Sequence, residues 1–324
     1  MDAWIGIDVS KDTLDACFLR PNGKTISKQF LNNSAGCQKM LNWVSTLSAP
    51  LRHFCMEATG AYSQSAASFL VEKGERVSVE NPARIKYFGM GEGILNKTDK
   101  VDARVIALYA KQKTPEPWRM SQPEVLHLLA LMRRIQAIET HLGQERNRLG
   151  EPDLDPAVAC SIDTILQALQ QEITRLEAQV REHIDQHPNL REDKKLLTSI
   201  KGVGEKLAHW ILAEMPDPKE FESAKSAGAF VGLSPVEYSS GRTIKKRTRL
   251  SKAGNSNLRR ALYMPAMAAV RFNPIVADLY QRLIARGKCR MVALGAAMRK
   301  LLMLAYGVLK TRIPFDPEFA ISKT

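Results

Sequence analysis

Trp4-Ile5-Gly6-Ile7-Asp8-Val9 is a short apolar run broken by one acid near its end. A run of this length, rich in β-branched residues, predicts a buried strand. An acid there is costly unless it is solvated, paired or bound to a cation. Reading outward, Thr13 to Leu19 predicts a second strand, reached through a tight turn at Ser10-Lys11-Asp12. Lys24 to Phe30 predicts a third. Ser34 is placed to cap a helix running to about Leu47, with Met40, Leu41, Val44 and Leu47 on its apolar face. His53 to Glu57 reads as a fourth strand, again apolar and closed by an acid. Tyr62 to Lys73 reads as a helix stopped by Gly74. Arg76 to Val79 is a fifth strand, ended by Asn81-Pro82. Asp99 to Lys111 is a helix burying Val101, Ile106 and Leu108.

Three meander strands followed by alternating helix and strand predict an α/β domain of the ribonuclease H kind over residues 1–115. In such a sheet the first and fourth strands are neighbours, so Asp8 and Glu57 end adjacent strands. Asp99 and Asp102 lie three apart at a helix start and share one face. Four converging carboxylates would suit Mg²⁺, and a pair of such ions can stabilise both oxygens of a phosphodiester exchange. Asp99 and Asp102 also simply favour the positive end of a helix, and Asp8 alone could be a turn residue. The conjunction of all four at strand and helix ends favours the metal reading.

Residues 116–190 are helical and charged. Val158, Ile162, Ile165, Leu169, Ile173, Leu176, Val180 and Ile184 recur at steps of three and four, a coiled-coil-like seam. An antiparallel helical pair broken near Gly150-Glu151-Pro152 follows, packed either within the chain or against a second copy. Residues 191–324 are mostly helical. They contain Leu197-Thr198-Ser199-Ile200-Lys201-Gly202-Val203-Gly204-Glu205-Lys206. A helix, a turn with two glycines and a second helix make either a helix-hairpin-helix-like phosphate grip through Lys201, Gly202, Gly204 and Lys206, or a plain helical turn.

The net charge is +13. Residues 196–324 hold 22 Lys and Arg against 9 Asp and Glu, so the excess sits there and answers a polyanion. No acid lies between Glu237 and Asp278, while Arg242, Lys245, Lys246, Arg247, Arg249, Lys252, Arg259 and Arg260 crowd one stretch. We read Tyr238 to Gly254 as a basic loop that neutralises phosphates. A serine beside glycine and cations is a candidate nucleophile. The residues alone leave Ser239, Ser240, Thr248 and Ser251 open.

Taken in order, several stretches resemble the DEDD transposases of bacterial insertion sequences, the bridge-RNA-guided recombinases with a RuvC-like N-terminal and a transposase-20 C-terminal domain. They are Ile5-Gly6-Ile7-Asp8, Met56-Glu57-Ala58-Thr59-Gly60, Asn96-Lys97-Thr98-Asp99-Lys100-Val101-Asp102-Ala103, Ile200-Lys201-Gly202-Val203-Gly204, Gly232-Leu233-Ser234-Pro235, Tyr238-Ser239-Ser240-Gly241, Ser251-Lys252-Ala253-Gly254 and Leu258-Arg259-Arg260-Ala261-Leu262-Tyr263. The resemblance implies metal ligands at Asp8, Glu57, Asp99 and Asp102 and a catalytic serine at Ser240. It also implies a covalent phosphoserine link to DNA, Mg²⁺ of the two-metal type with Mn²⁺ as a substitute, and a structured noncoding guide RNA. Double-stranded donor and target DNA are the implied substrates, handled by a homo-oligomer, dimer or tetramer, with composite active sites.

Two other classes compete. A RuvC-like structure-specific nuclease using metal-activated water needs the acids but no serine. A non-catalytic nucleic-acid-binding protein explains the charge but not acids at strand ends. Five widely spaced cysteines, with no Cys-x-x-Cys, argue against a disulfide framework or zinc ribbon. The start lacks the regions of a signal peptide. Met291 to Leu309, broken by Arg299 and Lys300, reads as a core helix. A cytoplasmic protein without a membrane partner is expected.

Overall fold

The computed structural model describes residues 3–47, 51–94, 98–120, 122–240 and 244–318. The chain divides into two compact units, Met1–Met120 and Ser121–Thr324. The first is built on β1 (Ala3–Val9), β2 (Thr13–Leu19), β3 (Thr25–Leu31), α1 (Ser34–Thr46), β4 (Arg52–Glu57), α2 (Ala61–Glu72), β5 (Arg76–Glu80), α3 (Pro82–Gly91) and α4 (Asp99–Lys113). The five strands form one sheet in the order β3-β2-β1-β4-β5. The first three are antiparallel; β4 and β5 run parallel to β1. This is the mixed α/β sheet that the sequence predicts, with β1 and β4 adjacent.

The sheet is covered on both faces. On one face Ile5, Ile7, Phe54, Met56 and Val77 pack with Met40 and Val44 of α1 and Leu70 of α2. On the other, Cys55 packs with Ile85 of α3 and with Ile106 and Tyr109 of α4. Gly6 explains how closely α4 lies. A Cβ there would meet the carbonyl oxygen of Ala103 at 2.1 Å and the nitrogen of Ala107 at 2.3 Å. Only a residue without a side chain lets this helix rest on the strand.

Helix α3 corrects the sequence reading, which ended the fifth strand at Asn81-Pro82 and placed no helix there. Asn81 is the N-cap, accepting from the Ala83 nitrogen, and Pro82 opens the helix. Proline suits the first helical turn, where its missing N–H costs nothing. A smaller shift concerns α1, whose cap is Asn33 rather than Ser34.

The second unit opens with a helical hairpin, α5 (Pro123–Leu149) and α6 (Pro156–Gln186). The expected break at 150–152 is present, and Asp155 caps α6 by accepting from Ala157 and Val158. Of the seam, Ile173, Leu176, Val180 and Ile184 are buried, while Val158 and Ile165 near the tip are exposed. Then follow α7 (Pro188–Thr198), α8 (Glu205–Glu214), a short 3₁₀ turn at Pro218–Glu220 and α9 (Ala224–Phe230). The unit closes with β6 (Pro235–Ser240), β7 (Ile244–Leu250), α10 (Ser256–Ala261), α11 (Tyr263–Phe272), α12 (Pro274–Ala285) and α13 (Arg290–Thr311). The second unit is mostly helical, as expected. One core joins the base of the hairpin to α7–α13, from Leu128 and Met132 through Trp210 to Leu301 and Tyr306.

Among the described residues α13 alone is long and apolar enough to cross a membrane, but 61% of its apolar window is buried within the chain. The stretch expected to be a basic loop is largely a strand pair: β6 and β7 are antiparallel, with Ser239 opposite Lys245 and Ser240 opposite Ile244. Its Val236, Tyr238, Ile244 and Thr248 have strand propensity, hidden in the sequence by the Lys245-Lys246-Arg247 charge run.

Candidate active site

The carboxylates of the first unit occupy one row across the sheet. Asp8 stands opposite Asp15, and Asp15 opposite Gln29. On the other side Ile7 pairs with Met56 and Glu57 with Glu80, so Glu57 and Glu80 continue the row on β4 and β5. Residues in register share a face. Asp8 lies two positions beyond Gly6 and so faces α4, whose first turn carries Asp99 and Asp102. Thr98 caps that helix, its hydroxyl accepting from the Val101 nitrogen.

The electrostatics follow this layout. The Asp8 carboxyl is pushed up to about 6, first by burial, then by the charges of Asp102, Asp99 and Asp15. Cys55, two residues before Glu57 on β4 and on the same face, is pushed up to about 12 by burial and then by Glu80 and Glu57. Gln29 donates to both oxygens of Asp15, at 3.2 and 2.9 Å, and Arg84 pairs with Glu80 at 3.4 Å. The structure thus brings Asp8 near Asp99 and Asp102 and sets Glu57 in the same row. Among the described residues no three acid, imidazole or thiol groups already stand as a formed metal shell.

The donor set still fits a hard divalent cation. It is all carboxylate oxygen, and the charges of Asp102, Asp99 and Asp15 add to burial in raising the proton affinity of Asp8. Sequence reading passed over Asp15 and Glu80. Glu80 ends an apolar strand as Glu57 does and was missed by ending that strand one residue early. Asp15 lies mid-strand, and only the register shows it beside Asp8.

In the second unit Ser240 is the last residue of β6. Gly241 and Arg242 lie outside the described residues, as do the side chains of Ser239, Ser240, Lys245, Lys246 and Arg247. Arg249 and Lys252 are exposed, and Lys252 adopts φ 54°. The hairpin has a tightly closed base. Ser251 nitrogen donates to Ser234 oxygen at 2.9 Å, Lys252 to Gly232 at 3.1 Å and Asn255 to Phe230 at 2.8 Å. Gly254, at φ 142°, leaves no room for a Cβ, which would meet Phe230 oxygen at 2.3 Å. Arg259 is half-buried and donates to the Val231 carbonyl at 2.8 Å.

Beneath this base lies Glu214, whose side chain is only 6% exposed. It accepts from Arg133 of α5, from Asn255 at 2.8 Å and from Asn257 at 3.0 Å. Asn257 also accepts from Gln136 of α5 at 3.2 Å. Nothing in the linear pattern marks these partners, which are more than 40 residues from Glu214.

The two-glycine turn between α7 and α8 is committed to packing at Gly202. Its φ is 102°, a Cβ there would meet that of Ala269 at 2.6 Å, and Asn273 donates to the Lys201 carbonyl at 3.1 Å. Lys201 and Gly204 are exposed. Lys206 pairs with Glu139, and it lines a groove of about 360 Å³ together with Arg260, Asn257, Trp210 and Met264.

Residues 5–151 match the DEDD transposase family of IS110, and residues 194–281 match the family described as transposase IS116/IS110/IS902. The chain is 32% identical over 317 residues to a pilin gene-inverting protein of Moraxella bovis, covering 97% of each chain. It is 26% identical over 296 residues to the transposase for insertion sequence element IS1111A of Coxiella burnetii, covering 82% of this chain and 78% of that one.

Proposed function

Because the chain belongs to the IS110 family of DNA transposases and recombinases, we propose that it cleaves and exchanges DNA strands through a covalent phosphoserine intermediate. The observation that carries the reading is the acidic row around Asp8, whose carboxyl sits near 6 because burial and three neighbouring acids crowd it. Asp8, Glu57, Asp99 and Asp102 would hold the divalent cation, with Asp15 and Glu80 flanking them. Bound Mg²⁺, or Mn²⁺ in its place, would supply charge stabilisation at the attacking and leaving oxygens.

Ser240 is the nucleophile. Its Oγ forms a bond to a DNA phosphorus, and the bond from that phosphorus to the 3′-oxygen breaks. A carboxylate of the acidic row takes the serine proton and returns it to the departing 3′-oxygen. In the second step a 3′-hydroxyl from another strand attacks the phosphoserine and frees the serine. A serine hydroxyl is a weak nucleophile at neutral pH. No histidine stands near Ser240 in sequence, His209 being the closest, so the acids supply the base.

The cations Arg242, Lys245, Lys246, Arg247, Arg249, Lys252 and Arg260 hold DNA phosphates, and the exposed Lys201 and Gly204 add a helix-hairpin-helix-like contact at the start of α8. Three functional segments, 1–115, 116–190 and 191–324, work as a homo-oligomer in which the serine of one protomer meets the acids of another. A structured noncoding RNA pairs with donor and target DNA and supplies sequence choice. The setting is the cytoplasm.

The test is a trapping experiment on a cleaved DNA substrate with Mg²⁺. The expected product is an alkali-labile adduct on the peptide holding Ser239 and Ser240, absent in EDTA and absent in Ser240→Ala. An adduct that persists in the Ser239/Ser240 double alanine variant overturns the serine mechanism. Cleavage by Ser240→Ala with no adduct would favour the water-using nuclease instead.

A further inference from the structure

A groove of about 710 Å³ runs along the open edge of the sheet, between β3 and α1. That volume lies within the range of ligand clefts, roughly 300–1,000 Å³. Its floor is aromatic: Phe30 and Trp43 lie 5.6 Å apart, tilted by 48°. Its walls bring two cations, Lys28 from β3 and Lys39 from α1, and its rim adds the amides of Gln29, Asn33 and Asn42. No Asp or Glu lines it. Lys28 also sits over the Phe30 ring, 5.6 Å from its centre. The metal-and-serine reading uses none of these residues except Gln29, through its bonds to Asp15.

The plain explanation is that an edge strand carries lysine to discourage pairing with other strands. That accounts for Lys28. It does not account for Lys39 on the facing helix, for the half-buried Trp43 between them, or for an acid-free lining in a unit that holds 11 acids in residues 1–113. A part-exposed ring flanked by cations and amides is what a single-stranded nucleic acid meets: a base stacks on Trp43, braced by the buried Phe30 beneath Lys28, and phosphates sit against the lysines. A duplex hides its base faces and cannot use this floor.

The geometry points to the β3–α1 groove as a binding site for a single-stranded nucleic acid segment, RNA or DNA. The groove lies on the α1 face of the sheet, whereas Asp8 faces α4, so a strand in it is held apart from the acidic row.

Full-length protein is irradiated with oligonucleotides carrying 4-thiouridine or 4-thiothymidine, in single-stranded RNA, single-stranded DNA and duplex DNA arms. The single-stranded probes should crosslink to the peptides spanning residues 29–52, and the duplex should not. Lys28→Glu/Lys39→Glu, both exposed positions, should cut that crosslink about tenfold or more while leaving the melting temperature unchanged. Trp43→Leu should do the same where the protein stays folded. The log–log salt slope for the single-stranded probe should fall by about 1.4, from roughly 0.7 per phosphate lost. Whichever of RNA or DNA crosslinks better identifies the source of the strand. Crosslinks confined to residues 196–318, or undiminished in the double variant, overturn the proposal. So does a double variant that changes the oligomeric mass with the crosslink intact, because the edge would then be an interface between copies. The Ser240 adduct is measured on the same samples, so failure here is separable from failure of the serine mechanism.

Discussion

Gly6→Ala is the smallest change that should separate α4 from the sheet. The added Cβ would sit 2.1 Å from the Ala103 carbonyl oxygen and 2.3 Å from the Ala107 nitrogen, both backbone atoms that no rotamer change can move. Ordinary contact begins near 3.4 Å, so α4 must retreat by roughly 1 Å or tilt. Overpacking of this kind costs about 1–3 kcal/mol. The functional cost should be larger. Asp99 and Asp102 ride on the first turn of α4, and catalytic groups must hold position within about 0.5 Å. A displacement near 1 Å costs on the order of 10²-fold in rate. The assay is single-turnover DNA cleavage at saturating Mg²⁺, with the folded fraction measured in parallel. The control is Met40→Ala on the opposite face, fully buried, which should cost about 2–5 kcal/mol without touching α4. At equal folded fraction, Gly6→Ala should cleave about 100-fold more slowly than wild type, and Met40→Ala at nearly the wild-type rate. Wild-type cleavage by folded Gly6→Ala, or equal loss in both variants, refutes the argument that helix placement sets the site.

Other outcomes can be checked more simply. Asp8→Asn should raise the melting temperature by a few degrees in EDTA, because it removes one charge from a crowded acidic row; in Mg²⁺ it should lose the metal-induced rise that wild type shows, and a calorimetric scan decides both. His53 and His209 are buried, and burial lowers each to about 4 from 6.5. As bases whose folded value lies below the unfolded one, they bind protons more readily when unfolded, so stability falls as pH drops from about 6.5 toward 4. Each should contribute about 1–2 kcal/mol of loss between pH 7 and 5, and urea titrations of His209→Leu should show a shallower pH dependence than wild type. Glu214→Ala leaves the part-buried amides of Asn255 and Asn257 without their acceptor, while the half-exposed Arg133 can be solvated, and should destabilise by about 1–3 kcal/mol; an unchanged denaturation midpoint would contradict the network. Neutralising Arg249 and Lys252 together should lower the salt slope of duplex DNA binding by about 1.8, at 0.9 per phosphate, and an unchanged slope would remove them from the DNA surface.

Much of this architecture is legible in residue order because the first unit obeys local rules. Apolar runs closed by acids give β1 and β4, and the turn at Ser10-Lys11-Asp12 gives the β1–β2 pairing. What was hidden has physical reasons. Asn81-Pro82 reads equally as a strand terminator and as the cap and first residue of a helix, and only packing of Ile85 against α4 decides between them. The β6–β7 pair carries its strand character beneath a run of cations that imitates a solvated loop. Asp15 becomes part of the acidic row only through the register of β1 on β2, and Glu214 becomes a hub only when α5, α8 and α10 meet. Long-range pairing of this kind leaves no trace in a local pattern.

The hairpin of α5 and α6 has a further consequence. Its ties to the rest of the unit, Arg133 to Glu214, Gln136 to Asn257 and Glu139 to Lys206, all lie within the first half of α5 or close beyond it. Past Thr140 the remaining turns of α5, to Leu149, run on for about 14 Å at 1.5 Å per residue, with α6 alongside. Such an arm is a ruler. Adding or removing a matched heptad from both helices would move the tip, with its exposed Val158 and Ile165, by about 10 Å without disturbing one bond at the base. The spacing between whatever the tip engages and the Ser240 hairpin is therefore a length that evolution, or an engineer, can set independently of the chemistry.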